Sequence, residues 1–348
     1  PEKLEIISSS TYTPAERHGS ACAELIKDVA PNATMYLIDI GETEQDFILA
    51  LENIMKLDKK IDVISCSLDF RLGLFNGNDD ICKNVRNVTS SGTIWVNSAG
   101  NFAEKHWSGT FRDRDLDGYC DFEKMDESIN LTAKRGELIR IWLNWDEDWL
   151  HARRDYDLYL YAPDNTYSSS NNPQKGYFGH KPSEFISMIA PADGIYQIAI
   201  KKYKVENDNI SFQLFSSHKL DEYNVQNGSL GVIACSEDVI TTGAVDISTL
   251  KIENSSSRGP TRSGKLKPDL VAPDNVTTIS YWPDKFIGTS SSAPYIAGCI
   301  ALVLERYGRS SFSDIKAALL ASCKDLGPKG PDYAYGYGLL NISTLKEP

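Results

Sequence analysis

Three short, nearly continuous apolar runs sit in the first hundred residues: TMYLIDI, IDVISCSL and TIWVNSAGN. A strand that is apolar on both faces has to be covered on both, which is the condition of a strand inside a parallel sheet. The segments between them read as helices: HGSACAELIKDVA, EQDFILALENIMKLDKK and NDDICKNVRNVTSSG carry apolar residues at helical spacing. LEIISSSTY, at the start, reads as a further strand. Strands alternating with helices predict an α/β sheet with helices on both faces.

From about Phe102 the texture changes. Clusters of Asp, Asn, Ser and Pro separate shorter runs, ELIRIWLNW, YDLYLYAP, EFISMIA, GIYQIAIKKYK and NISFQLF. Short runs punctuated by turn residues predict an antiparallel β-sandwich. After about Asn227 the first texture returns in VIACSEDVITTGAVD, KPDLVAP and a long helix from SSAPYIAG to about Tyr307. The expected organisation is an α/β domain over 1–104 and 226–348, interrupted by an inserted β domain over 105–225.

The net charge of −12 over 348 residues argues against nucleic acid and anionic membranes as partners, since both attract basic stripes. No apolar run approaches the roughly 18 residues of a membrane helix, so no membrane insertion is expected. The seven cysteines are scattered, without CxxC pairs or ligand spacing. Cys22, Cys66, Cys235 and Cys299 lie in apolar stretches and read as small buried side chains.

Three segments carry chemistry. In GTSSSAPYIAG, Ser290 opens a helix, where backbone N–H groups and the positive dipole end suit an oxyanion; an N-cap serine has the same signature. In HGS, His18 is flanked by small residues that let a base approach a nucleophile, although a lone His is also an ordinary surface or core residue. In VNSAGN, Asn101 follows a buried strand and can present an amide to an oxyanion, or simply make a turn.

Together, in the order HGS, SAGN, GTSSSAP, these segments resemble the subtilase family of serine peptidases. VAPNATMYLIDI, DVISCSL and SSRGPTRSGKLKPDLVAP extend the likeness over roughly residues 3–104 and 222–342. The resemblance implies Ser290 as nucleophile, His18 as general base, and Asn101 with the Ser290 N–H as the oxyanion hole. It implies a protein or peptide substrate held along Ser67, Leu68, Asp69 and Phe70 on one side and Ser98, Ala99 and Gly100 on the other. It also implies an exported, extracytoplasmic protein.

Two departures stand out. The family order is Asp, His, Ser, yet no Asp precedes His18 in this sequence. Asp39 in LIDIGE imitates the D-x-G signature on the wrong side of the His. The Asp is therefore expected on an upstream segment, or on a separate fragment or propeptide; a degenerate subtilase acting as a binding protein is the alternative, as is a peptide ligase or macrocyclase resolved by an amine. The second departure is Asp69 and Phe70, where the family usually has glycines. They imply a narrowed cleft, or two side chains turned away from it.

The insert opens with DRDLDGYCDF. Asp113, Asp115, Asp117 and Asp121 alternate around Gly118, as in the first part of a D-x-D-x-D-G calcium loop. The expected ligands are these four, the Tyr119 carbonyl and Glu123, because the twelfth position, Glu in a full loop, is Lys124. Trp145, Trp149 and Tyr156 suggest an exposed aromatic surface for carbohydrate.

Overall fold

The computed structural model describes residues 4–7, 17–41, 43–204 and 209–348, which form two compact units. The first comprises residues up to Phe70, Phe75–Gly100 and Leu230–Pro348; the second comprises Arg71–Leu74 and Asn101–Ser229.

The first unit is α/β. Its leading elements are β1 (Leu4–Ile7), α1 (His18–Val29), β2 (Met35–Ile38), α2 (Glu44–Met55), β3 (Val63–Cys66), α3 (Asp80–Thr89) and β4 (Ile94–Ser98). The remainder of the strand expected over LEIISSSTY lies outside the described residues. Helix α2 starts on a capping box: Thr43 Oγ1 accepts the Asp46 N–H, and Asp46 Oδ2 accepts the Thr43 N–H. It ends at Met55, short of the expected KLDKK turn, with Phe47, Ala50 and Leu51 on its buried face.

The second unit holds β5 (His106–Thr110), β6 (Ile129–Ala133), β7 (Leu138–Trp145), β8 (Asp155–Tyr161), β9 (Tyr167–Ser170), β10 (Ser183–Ile189), β11 (Gly194–Lys204) and β12 (Ser211–Ser216). They form two four-stranded antiparallel sheets, β10-β7-β12-β5 and β6-β11-β8-β9. One core joins them: Ile139, Ile141 and Leu143 of β7 and Leu214 of β12 meet Leu131 of β6, Leu158 of β8 and Ile198 of β11. Each such side chain contributes on the order of 1.5–3 kcal/mol by burial. Trp145 and Tyr156 belong to this core at 0% exposure, their rings edge to face at 5.4 Å. The expectation of an aromatic carbohydrate surface fails there: both residues occupy inward-facing strand positions.

The chain then returns to the first unit through β13 (Ile240–Asp246), β14 (Lys251–Ile252), β15 (Leu270–Pro273), α4 (Thr289–Tyr307), α5 (Phe312–Ala321), β16 (Cys323–Lys324) and β17 (Leu339–Leu340). Strands β16-β17-β15-β13-β4-β3, with β14 on β13, make a seven-stranded sheet whose central pairs are parallel. Strand β13 lies next to β4, Ile240 opposite Val96, so the chain re-enters the sheet beside the strand it left. Helices α4 and α5 cover one face through Ile296, Ile300, Ile315 and Leu319. On the other face Trp95 of β4 meets Phe47 of α2. Strands β1 and β2 form a separate two-stranded parallel sheet.

The architecture is therefore a parallel sheet with helices on both faces, interrupted in sequence by an antiparallel sandwich, as expected. All seven cysteines are free; Cys66, Cys82, Cys120, Cys235 and Cys299 are buried and Cys22 and Cys323 half-buried.

Candidate active site

The site is organised by the first turn of α4. Pro294 lies inside that helix. In an α-helix the N–H of residue i bonds the carbonyl of i−4, and proline has no N–H. The Ser290 carbonyl thus lacks its intrahelical donor, and two other elements supply one. Ser67 Oγ, just past β3, donates at 3.1 Å, and Cys22 Sγ of α1 donates at 3.7 Å. Burial pushes the Cys22 thiol up to about 11, so it stays protonated and able to donate.

A third element joins on the other side. The Gly100 N–H donates to Thr289 Oγ1 at 3.2 Å, and the Gly100 carbonyl accepts the Ser257 N–H. Helix α4 starts at Gly288 without a side-chain cap and without an acidic residue in its first turn. Its leading N–H groups and dipole are left to favour an anion at Ser290. Asp274, itself 5% exposed, fixes the loop by accepting from the Gly288 N–H at 2.7 Å and from Ser291 Oγ at 3.0 Å. Ser292 Oγ donates to the carbonyls of Ala272 and Pro273. Ser290 itself is left half-buried between buried neighbours.

His18 is the first residue of α1 and is also half-buried. Its ring stands edge to face on Phe286 at 5.3 Å, four residues before Ser290. The same stretch holds α1 at two more points. Glu24 accepts the N–H groups of Ile279 and Ser280, and the Arg17 guanidinium lies 4.8 Å over the Tyr281 ring. Further along, α1 meets α4 where Gly298 faces Val29; a Cβ at 298 would stand 2.8 Å from the Val29 Cβ, so only glycine permits this approach. HGS, DVISCSL, the turn up to Gly100 and GTSSSAP are thus drawn together within the α/β unit. Sequence reasoning missed Ser67 and Cys22 as donors to Ser290, though the proline four residues into the helix was the available signal. Asn101, one residue past Gly100, opens the second unit.

The residues expected to line a substrate have mixed surroundings. The Leu68 carbonyl accepts from Asn97 Nδ2 at 3.5 Å and the Phe70 carbonyl accepts the Val232 N–H at 3.0 Å. The Ala99 carbonyl accepts the Gly231 N–H at 3.3 Å, and Ser98 is buried. The Phe70 ring packs on Phe47 of α2 at 5.3 Å. The Asp69 carboxylate fills the space a side chain at Gly231 would need, its Oδ1 only 1.3 Å from the ideal Cβ position. Asp69 and Gly231 are therefore a matched pair. Asp39, after β2, accepts the Gly41 N–H at 3.0 Å and closes a turn.

In the sandwich unit, one carboxylate oxygen from each of Asp113, Asp115 and Asp117 lies within 4.8 Å of the others. Asp113 Oδ2 takes Lys202 Nζ at 2.8 Å and the Gly118 N–H at 3.2 Å. Asp121 Oδ2 takes the Arg114 N–H at 2.6 Å. Tyr119 bridges to Lys201 of β11, and Glu123 is exposed in a tight turn with Asp126. Burial, then Asp117, Asp115, Asp121 and Asp113, hold the carboxyl of Glu127, which sequence reasoning passed over, above the usual range.

Residues 207–338 match the model of the subtilase family. Subtilisin DY of Bacillus licheniformis is 30% identical over 123 residues, 34% of this chain and 41% of that protein. A subtilisin-like protease of Arabidopsis thaliana is 26% identical over 193 residues, 48% of this chain and 22% of that protein. The chain thus spans less than half the length of either relative. The structure of the Clostridium perfringens CspB protease superposes with a TM-score of 0.65 at 20% identity, covering 89% of this chain and 74% of that one; this likeness is one of fold. Among the described residues no helix is long and apolar enough to cross a membrane. Over residues 207–338 the chain is similar to the subtilase family, and its fold is subtilisin-like.

Proposed function

We propose that the α/β unit supplies the nucleophile and base of a serine endopeptidase. Ser290 attacks the scissile carbonyl and His18 takes its proton, later returning it to the leaving amine. The Ser290 N–H and the Asn101 amide receive the oxyanion. The observation carrying this reading is the convergence of α1, the β3 end and the Gly100 turn on the first turn of α4. That junction leaves Ser290 half-buried at an uncapped helix start. The substrate class is protein or peptide, by the same resemblance.

The third member of the triad is assigned to an upstream strand. Support comes from the way the sheet is divided. Among the described residues β3 is an edge strand of the seven-stranded sheet, and β2 pairs only with β1. Helix α1 packs on both β2 and α4, and α4 packs on β3. The two open edges are thus held by the same pair of helices, and an added parallel strand would join them. An Asp at its end would orient His18 and stabilise the imidazolium.

The test compares this chain with a form extended upstream. Casein hydrolysis and hydrogen exchange along Val63–Cys66 are measured on both. The reading expects hydrolysis in the extended form, together with slower exchange on β3. Faster or unchanged exchange on β3 in an extended form that is active would overturn the strand assignment; inactivity despite protection would favour a binding protein. In the sandwich unit, the dealing of eight strands to two four-stranded sheets, in which only β8 and β9 stay together as consecutive strands, supports a jelly-roll arrangement.

A further inference from the structure

We propose that the loop from Asp113 to Asp121, closed by Glu127, binds one calcium ion in the sandwich unit. Clustered aspartates alone are common on surfaces. What distinguishes this group is buried, unspent acceptor capacity. The side chains of Asp113 and Asp121 are each 1% exposed. Among the described residues, Asp113 Oδ1 and Asp121 Oδ1 are buried and accept no hydrogen bond. A buried carboxylate oxygen without a donor is costly unless a cation meets it. Lys202 meets Asp113 through Oδ2, not through the unbonded Oδ1.

The donor set is all oxygen, which selects a hard cation over zinc or copper. Several carboxylates on a part-exposed loop suit calcium, which takes six to eight oxygens; magnesium keeps most of its water and demands octahedral order. The ligand set differs from the sequence expectation at one place. Glu123 sits exposed in the Asp126 turn, whereas Glu127, on the same segment, is half-buried. Glu127 takes the place of Glu123 as closing carboxylate in this proposal.

The experiment is calorimetric titration of the whole chain with calcium chloride and, separately, magnesium chloride after chelator treatment. Thermal unfolding is followed in calcium and in chelator. One calcium per chain, a raised Tm in calcium and much weaker magnesium binding are expected. Asp115→Asn and Glu127→Gln each lower calcium affinity about tenfold or more, since affinity follows ligand charge count; Glu123→Gln changes it less than about twofold. Asp115 is exposed, so its substitution leaves the fold intact. Absence of heat and of a Tm shift at millimolar calcium would overturn the proposal, as would tighter magnesium binding. Loss through Glu123→Gln but not Glu127→Gln would overturn the ligand set.

Discussion

Strand β4 of the α/β unit is buried at every position from Ile94 to Ser98, whereas β7 of the sandwich alternates, with Leu138 and Arg140 exposed and Ile139 and Ile141 buried. The first strand is covered by helices on two sides, the second by a sheet on one. The contrast extends to the functional groups. In the α/β unit they stand where strands end and helices begin, so a few short motifs mark them. In the sandwich the proposed calcium ligands lie on a loop before β6, where Lys202 of β11 meets Asp113. Position in a parallel sheet is thus more readable than position on a sandwich loop.

The largest expected effect concerns the first region. In subtilisin, removal of the nucleophilic serine costs about 10⁶-fold in turnover. Ser290→Ala in an upstream-extended, active form is expected to cost the same order, with the Tm unchanged. Peptide turnover and calorimetry check both halves.

The next prediction sharpens the contrast in burial. In β4, Ile94→Ala and Trp95→Ala face opposite sides of the sheet and are both expected to be severe, at about 2–5 and 3–5 kcal/mol. In β7, Ile141→Ala is expected to cost about 2–5 kcal/mol, but its neighbour Arg140→Ala only about 0.5 kcal/mol or less. Denaturant unfolding of the four variants reads the pattern. Equal costs along β7 would erase the distinction between the strands.

Much of the fold was legible in advance for the same reason. TMYLIDI, IDVISCSL and TIWV are strands, of which the last is buried throughout and the first two are mostly half-buried, and the long helix from SSAPYIAG runs to Tyr307 as expected. Strands β5, β6 and β9 were missed, because HWSGT, INLTA and YSSS are short and part polar, and only their partners in the ladders settle them. His18 and Ser290 are candidates that their motifs alone mark. Asp69 was read as cleft-facing or turned away, and its actual setting against Gly231 depends on a residue far away in sequence.

Smaller effects test how the nucleophile turn is held. Ser67→Ala removes the nearer donor to the Ser290 carbonyl, with Pro294 unable to replace it. A stability loss of about 1–3 kcal/mol is expected, together with reduced turnover. If Pro294→Ala in the same background failed to recover stability, the proposed reason for the junction would be wrong.

The smallest effect concerns the thiols. Burial raises all seven cysteines above their ordinary value, Cys22 to about 11 and Cys66 to about 12. The folded chain therefore holds these protons where the unfolded chain has released them. Stability from Cys22 is full below about pH 9 and declines as pH rises toward 11. Iodoacetamide at pH 8 should alkylate the native protein slowly at every cysteine, as read by peptide mass mapping. Rapid modification of Cys22 would contradict its role as a protonated donor.

The most direct test of the central claim is labelling with a fluorophosphonate followed by peptide mass spectrometry, on this chain and on an upstream-extended form. The account predicts stoichiometric modification of Ser290 in the extended form, weak modification in the chain alone, and loss of both in His18→Ala. Absence of label from Ser290 in either form would contradict it, and the His18–Ser290 arrangement would then be a scaffold for binding and not for acyl transfer.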